Sequence, residues 1–130
     1  MFRIASVLAV AAVALALAAC QPIAIYNVAD APVTTTSGKA PSAAQVRAAI
    51  ITAGTSLGWS IKEAGPGKLE GTLHLRDHVA VVDIPYSTAR YSITYRSSEN
   101  LMAGDGKIHK NYNSWVQNLD RAIRTELSRL

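Results

Sequence analysis

Residues 69–86, LEGTLHLRDHVAVVDIPY, alternate between apolar and polar side chains along their length. Because successive side chains of a β-strand point to opposite faces, this alternation predicts two strands that share one apolar and one polar face. Asp77 and His78 are the predicted tip of the hairpin. The resulting register places Leu73 opposite Val82. Asp-His is a weaker two-residue turn than Asn-Gly, so a longer turn remains an alternative that preserves the two faces.

Further strands are predicted on both sides of this hairpin. Residues 59–64 alternate before a turn at residues 65–67, and residues 91–96 alternate after a short connection. Pro85 lacks a backbone donor, so we expect a bulge or the end of pairing near it. Together these segments predict an antiparallel meander of three or four strands.

Two helices are predicted outside the meander. Ser42 followed by Gln45 has the form of a capping box, and the apolar residues after it fall on one helical face up to Gly58. Asn113 or Ser114 is the predicted cap of the second helix. Its apolar stripe comprises Val116, Leu119, Ile123 and Leu127. The predicted fold class is therefore α+β, a two-layer sandwich in which both helices cover one face of the sheet.

The opposite face of the predicted sheet is polar and is the candidate interaction surface. Its side chains include Lys62, Glu70, Thr72, His74, Arg76, Asp83, Thr94 and Arg96. Antiparallel sheets commonly leave one face to solvent. A docking site for a partner and a merely solvated face therefore both fit this composition.

A polar loop is predicted over residues 97–111, between the last strand and the last helix. Its candidate contacts for a partner are Glu99, Asn100, His109 and Asn111. The amides of this region fit hydrogen bonding to a glycan, and a structural role at the start of the helix is the favoured interpretation.

The first 20 residues have the form of an export signal. Arg3 precedes an uncharged run that is shorter than the about 20 apolar residues a membrane-spanning helix needs. The sequence Leu17-Ala-Ala-Cys20 resembles the lipobox of bacterial lipoproteins. That resemblance implies cleavage before Cys20, a diacylglycerol thioether on its sulfur and an acyl chain on its amine. Gln21, in place of an aspartate, implies sorting to the outer membrane, facing the periplasm.

The predicted organisation is a signal peptide at residues 1–19, a lipidated N-terminus with a flexible tether at residues 20–41, and a single periplasmic α+β domain at residues 42–130. Residues 29–41 are rich in Ala, Pro and Thr without apolar periodicity, which is typical of a spacer. The short apolar segment at residues 23–28 either pairs with a sheet edge or simply leads away from the lipid.

Charge and cysteine content limit the classes of partner. The chain carries 13 Lys and Arg against 9 Asp and Glu, and loss of Arg3 with the signal lowers the net charge from +4 to +3. The basic residues are scattered and the signal directs export, so no nucleic-acid partner is predicted. The single cysteine allows no disulfide within the chain. A secreted protein that keeps this thiol free is the alternative to lipidation.

Three segments, at residues 76–86, 91–101 and 108–119, resemble a group of small proteobacterial lipoproteins without assigned function. The most distinctive are YSITY at residues 91–95 and IHKNYNSWVQNL at residues 108–119. The resemblance covers about residues 44–123. It implies an envelope location and a single domain, and it supplies no catalytic residues.

The sequence predicts no catalytic residue, metal site or cofactor. His74 and His78 lie on either side of the predicted turn, and no third ligand of a zinc site is evident. We therefore expect a non-enzymatic interaction or structural module of the cell envelope, bound to the membrane through lipid on Cys20, with an envelope protein or peptidoglycan as partner. The alternative is a cell-wall-associated hydrolase or a small-ligand-binding protein, which would need a concave pocket.

Overall fold

A computed structural model describes residues 21–130 of the chain. The predictions for the signal peptide and for Cys20 lie outside these residues. The elements are, in order, β1 (Ile23–Ala24), β2 (Val28–Pro32), α1 (Ala43–Ser56), β3 (Ser60–Glu63), β4 (Lys68–Leu75), β5 (His78–Pro85), β6 (Arg90–Glu99), β7 (Lys107–Ile108) and α2 (Lys110–Ser128). Between residues 21 and 130, none of the helices has the length and apolar character needed to cross a membrane.

The fold is α+β, as predicted from the sequence. Five antiparallel strands form one sheet in the order β2-β6-β5-β4-β3, and β1 pairs with β7 in a small second sheet. The two helices pack together against the apolar face of the larger sheet. The strands bury Leu69, Leu73, Ala80, Val82, Ile84, Tyr91 and Ile93, and the helices bury Val46, Ile50, Tyr112, Val116, Leu119, Ile123 and Leu127.

The hairpin of β4 and β5 has the predicted faces but a different register. Its two-residue tip consists of Arg76 and Asp77, one position earlier than predicted. Leu73 therefore lies opposite Ala80, and the predicted pairing with Val82 is wrong. Arg76 adopts a positive φ of 57°, which a tight two-residue hairpin requires. The pairing changes by an even number of residues, so every side chain remains on its predicted face.

The region predicted as a flexible tether includes an edge strand. β2 pairs with β6, with Val28 opposite Ile93, and Val28 and Ala31 are buried. The spacer prediction is therefore wrong for β2, because two small apolar side chains suffice to attach it to the sheet edge. Beyond β2, the Thr36 amide donates to the Ser128 carbonyl at 3.2 Å. Within residues 23–28, Ile23 and Ala24 pair with β7 in the small second sheet, and only Val28 pairs with a strand of the larger sheet.

The start of α1 follows the prediction. The Ser42 hydroxyl accepts from the Gln45 amide at 3.1 Å, and the Gln45 side chain accepts from the Ser42 amide at 2.9 Å. Gly58, with a φ of 87°, follows the end of the helix. A Cβ atom on Gly54 would lie 2.6 Å from the side chain of Ile61. Glycine at this position therefore allows α1 to pack closely on β3.

Residues 97–111 are more regular than predicted, since β6 extends to Glu99 and α2 begins at Lys110. The predicted helix caps are wrong. His109 is the N-cap, and its Nδ1 accepts from the Asn111 amide at 3.1 Å. An imidazole acceptor here serves the same purpose as the Asn or Ser oxygen expected from the sequence.

Asn113 binds the N-terminal segment instead of capping the helix. Its Oδ1 accepts from the Tyr26 amide at 3.0 Å, and its Nδ2 donates to the Ala24 carbonyl at 2.9 Å. On the other side of the segment, Asn27 Oδ1 accepts from the Tyr95 amide at 2.9 Å. The chain between β1 and β2 is therefore fixed by two asparagine side chains.

Candidate functional site: the open face of the sheet

The face of the five-stranded sheet that points away from the helices is the candidate site, and we call it the open face. Cross-strand pairing places most of the predicted interaction residues on it. Its side chains include Lys62, Lys68, Glu70, Thr72, His74, Val79, Val81, Asp83, Thr94, Arg96 and Glu99. Lys62, His74, Arg96 and Glu99 are exposed, and the others are partly buried.

An ionic cluster occupies one end of the open face. Glu70 and Asp83 lie directly opposite each other on β4 and β5, an arrangement in which like charges repel. Arg96 compensates this repulsion, because its Nη1 lies 2.6 Å from Glu70 Oε2 and 3.4 Å from Asp83 Oδ1. Lys68 Nζ lies 3.6 Å from Asp83 Oδ1. The four side chains thus balance two negative charges with two positive charges.

A β-bulge places Arg96 in this cluster. Val81 pairs with Ser97 whereas Val82 pairs with Tyr95, so Arg96 is the additional residue of β6. Bulges reorient side chains next to them. Beyond the bulge the alternation changes phase, and Glu99 lies opposite Val79 on the open face. Strict alternation from Tyr95 would have directed Glu99 to the apolar face.

A short apolar strip runs beside the ionic cluster and was missed in the sequence analysis. Val79 lies opposite His74, and Val81 lies opposite Thr72. Both valines are partly buried, whereas their neighbour Ala80 is fully buried on the helix side. This strip could have been predicted from the strict alternation in β5, because that alternation directs Val79 and Val81 to the face opposite buried Ala80.

Other predicted contacts lie away from the open face. Arg76 is exposed at the hairpin tip. Asn100 connects that tip to the end of β6, since its Nδ2 donates to the Asp77 carbonyl at 2.7 Å and its own carbonyl accepts from His78 Nδ1 at 2.8 Å. His109 caps α2 and Asn111 lies in the first turn of that helix. The four predicted loop contacts therefore do not form one cluster.

The three histidines do not converge. His74 is exposed on the open face, and His109 caps α2. His78 lies on the helix side, with its ring centroid 6.2 Å from that of Trp115. Among residues 21–130 there is no group of three or more His, Cys, Asp or Glu side chains placed to hold a metal ion.

A buried polar contact between sheet and helix was not foreseen. The Tyr91 hydroxyl donates to Asp120 Oδ1 at 2.5 Å, and Arg124 Nε donates to Asp120 Oδ2 at 3.1 Å. Burial and the Asp120 carboxylate raise the pKa of Tyr91 well above its ordinary value. Asp120 follows Val116 by four residues, so it lies beside the apolar stripe of α2. This spacing could have indicated from the sequence that the carboxylate faces the sheet.

Asp120 also borders a surface groove of about 410 Å³ along α2. Its lining comprises Tyr26, Gln117, Asp120, Arg121 and Arg124. Both carboxylate oxygens of Asp120 already accept a hydrogen bond within the fold. We therefore assign Asp120 a structural role in joining α2 to β6.

Comparison of the chain with protein-family models, with curated proteins and with solved structures finds no match.

Proposed function

We propose that this chain is a lipid-anchored protein of the bacterial envelope and that its open face docks a periplasmic partner without catalysis. The anchor is the lipid inferred on Cys20. The observation that carries the docking role is the apolar strip of Val79 and Val81, which lies on the open face next to the ionic cluster and opposite His74 and Thr72. An apolar centre with a polar surround is the usual organisation of a protein interface.

The ionic cluster supports docking because it holds its side chains in place before a partner arrives. Arg96 is held by two carboxylates, and its side chain is still 50% exposed. A side chain that is already ordered loses less conformational entropy on binding. A partner that presents an acidic or amide group therefore meets an oriented guanidinium.

The edges of the sheet are poorer docking sites than its face. The edge strand β3 carries Lys62 and Glu63, and Glu63 Oε1 lies 2.7 Å from Arg47 Nε on α1. At the other edge, pairing of β2 is interrupted near Asp30, which has a φ of 48°. Charged and irregular edges oppose the addition of another strand. Docking through the open face is therefore the mode that the geometry favours.

The alternative function, a cell-wall hydrolase or a small-ligand-binding protein, has less support. It requires His, Asp or Asn side chains that converge in a concave pocket. The three histidines lie on different parts of the fold, and the grooves of about 410 and 370 Å³ lie along α2 rather than beside His74. No arrangement of side chains in the described region favours a particular reaction.

Site-specific photo-crosslinking in living cells tests the docking role. A photoreactive residue replaces His74 or Val81 on the open face, and a matched control replaces Thr55, which is exposed on α1 in the helix layer. We expect the same defined adduct from both open-face positions and none from Thr55. Absence of adducts at His74 and Val81, or identical adducts at all three positions, would contradict the proposal.

A further inference from the structure

We propose that one end of the domain rests directly on an anionic bilayer surface, an inference that depends on the proposed lipid on Cys20. We call this region the anchor end and define it by the exposed residues Ile23, Leu75, Arg76, Met102, Lys107 and Lys110. The partner is the surface of the membrane that receives the acyl chains, not another protein.

The first argument is the short distance along the chain from Cys20 to ordered structure. Ile23 pairs with Ile108 and Ala24 pairs with Lys107, so the chain is hydrogen-bonded only three residues after Cys20. An extended chain spans at most about 3.6 Å per residue, which keeps the Cα atom of Cys20 within about 11 Å of that of Ile23. An acyl group on Cys20 would therefore hold β1 close to the headgroups.

The second argument is that hydrogen bonds hold the segment after β1 to the folded domain, so that the segment does not extend as a tether without breaking them. Beyond β1, the Ile25 amide donates to the Gly106 carbonyl at 2.9 Å. The side chain of Asn113 then binds both Ala24 and Tyr26. Releasing the segment as a tether would break these hydrogen bonds together, so the domain has no free spacer between Cys20 and its folded part.

The third argument is the location of exposed apolar side chains. In the part of the chain that the structure describes, the exposed large apolar side chains are Ile23, Tyr26, Leu57, Leu75 and Met102. Ile23, Leu75 and Met102 are 44%, 43% and 49% exposed. These three belong to the anchor end, although they come from three separate parts of the sequence.

Two contacts bring these parts to the same end of the fold. Asn100 binds Asp77 and His78, which places the hairpin tip beside the end of β6 and hence beside Met102. The His109 amide donates to the Leu101 carbonyl at 2.8 Å, which fixes β7 and its partner β1 beside the same loop. These contacts thus place the apolar side chains of Ile23, Leu75 and Met102 at the same end of the fold.

The anchor end carries basic side chains that can contact anionic headgroups. Arg76, Lys107 and Lys110 are exposed there, beside the exposed acidic side chains Asp77, Glu99 and Asp105, so attraction to an anionic surface depends on the placement of the three basic side chains and not on a net positive charge. Basic side chains beside an anionic leaflet add attraction that decreases with ionic strength. The arrangement combines apolar side chains that enter the headgroup region with basic side chains that bind phosphate.

Labelling of an introduced thiol tests the inference on the full chain. The variant Met102→Cys is purified in its mature form, labelled with an environment-sensitive fluorophore and reconstituted into phosphatidylethanolamine–phosphatidylglycerol vesicles that contain a nitroxide quencher. Thr55→Cys, on the exposed side of α1, is the matched control. We expect a blue shift of emission and loss of intensity for Met102→Cys, and neither change for Thr55→Cys.

The label count separates the two proposals. A lipidated Cys20 cannot react, so one label per chain and retention on vesicles support the lipid anchor, whereas two labels per chain contradict it. If the protein carries one label per chain and binds vesicles, but the probe at Met102→Cys is exposed to solvent, the anchor-end inference is overturned and the lipid anchor is still supported. The role of the basic side chains is tested in the same vesicles by adding Lys107→Glu and Lys110→Glu to the Met102→Cys protein. The label should then be quenched less than in Met102→Cys, and equal quenching would contradict an electrostatic contribution to membrane contact.

Discussion

Removal of the Tyr91 hydroxyl should destabilise the domain, because that hydroxyl is the buried donor to Asp120. Tyr91 is 1% exposed and Asp120 is 8% exposed, so water does not readily replace the lost bond. Hydrogen bonds to a charged acceptor contribute about 1.5–3 kcal/mol. Tyr91→Phe should lower the free energy of unfolding by this amount. Arg124 is largely exposed, so its pairing with Asp120 adds less than about 1 kcal/mol.

The assay is urea denaturation of the purified protein, applied to a double-mutant cycle of Tyr91→Phe and Asp120→Ala. Each single change leaves its partner without the bond, so the double variant should lose less stability than the sum of the two by about 1.5–3 kcal/mol. Tyr112→Phe is the matched control, because within residues 21–130 its buried hydroxyl has no hydrogen-bond partner. That variant should be unchanged, or more stable by up to about 1 kcal/mol. Additive losses in the cycle, or equal losses for both Phe variants, would refute the reasoning.

Three further predictions concern the backbone, the pH and the N-terminal segment. Arg76→Gly should raise the free energy of unfolding by about 1 kcal/mol, because glycine accepts the positive φ at the hairpin tip. The control Asp77→Gly should not stabilise the protein. Equal effects of the two variants in thermal unfolding would be evidence against the observed turn. Burial raises the pKa of Tyr91 and Tyr112 above the ordinary value of 10, so only the unfolded chain loses these protons just above pH 10. Above pH 10 the free energy of unfolding should therefore fall by up to about 1.4 kcal/mol per pH unit for each tyrosine. Urea denaturation between pH 9 and 11 measures this slope, and Tyr112→Phe should reduce it. An unchanged slope would contradict the assignment. Asn113→Ala should increase amide hydrogen exchange at β1 while β5 stays protected, and unchanged exchange at β1 would show that Asn113 does not hold this segment.

The faces of the central hairpin were predictable from the sequence, but its register was not. Alternation of period two assigns each side chain of residues 69–86 to a face whatever the exact pairing. The register depends on the turn, and an arginine gives little sign that it will adopt a φ of 57°. A shift of pairing by an even number of residues is therefore invisible to the hydrophobic pattern.

The open face was predicted in composition but not in arrangement. The cluster of Glu70, Asp83 and Arg96 depends on a bulge, and an inserted residue cannot be located from alternation alone. Alternation in β5 places Val79 and Val81 on the open face, but their apolar character was not among the features predicted for that face. The edge strand β2, VADAP, resembles a spacer in composition, and only its pairing with β6 distinguishes it.

The lipid inferred on Cys20 is the premise of both the envelope location and the anchor end. Its most direct test is mass spectrometry of the N-terminal peptide of the full chain produced in a Gram-negative bacterium, together with separation of membrane and soluble fractions. The account predicts a mature chain that begins at Cys20, carries acyl chains on its sulfur and its amine, and is recovered with membranes. A processed chain with an unmodified sulfur, recovered in the soluble fraction, would contradict it.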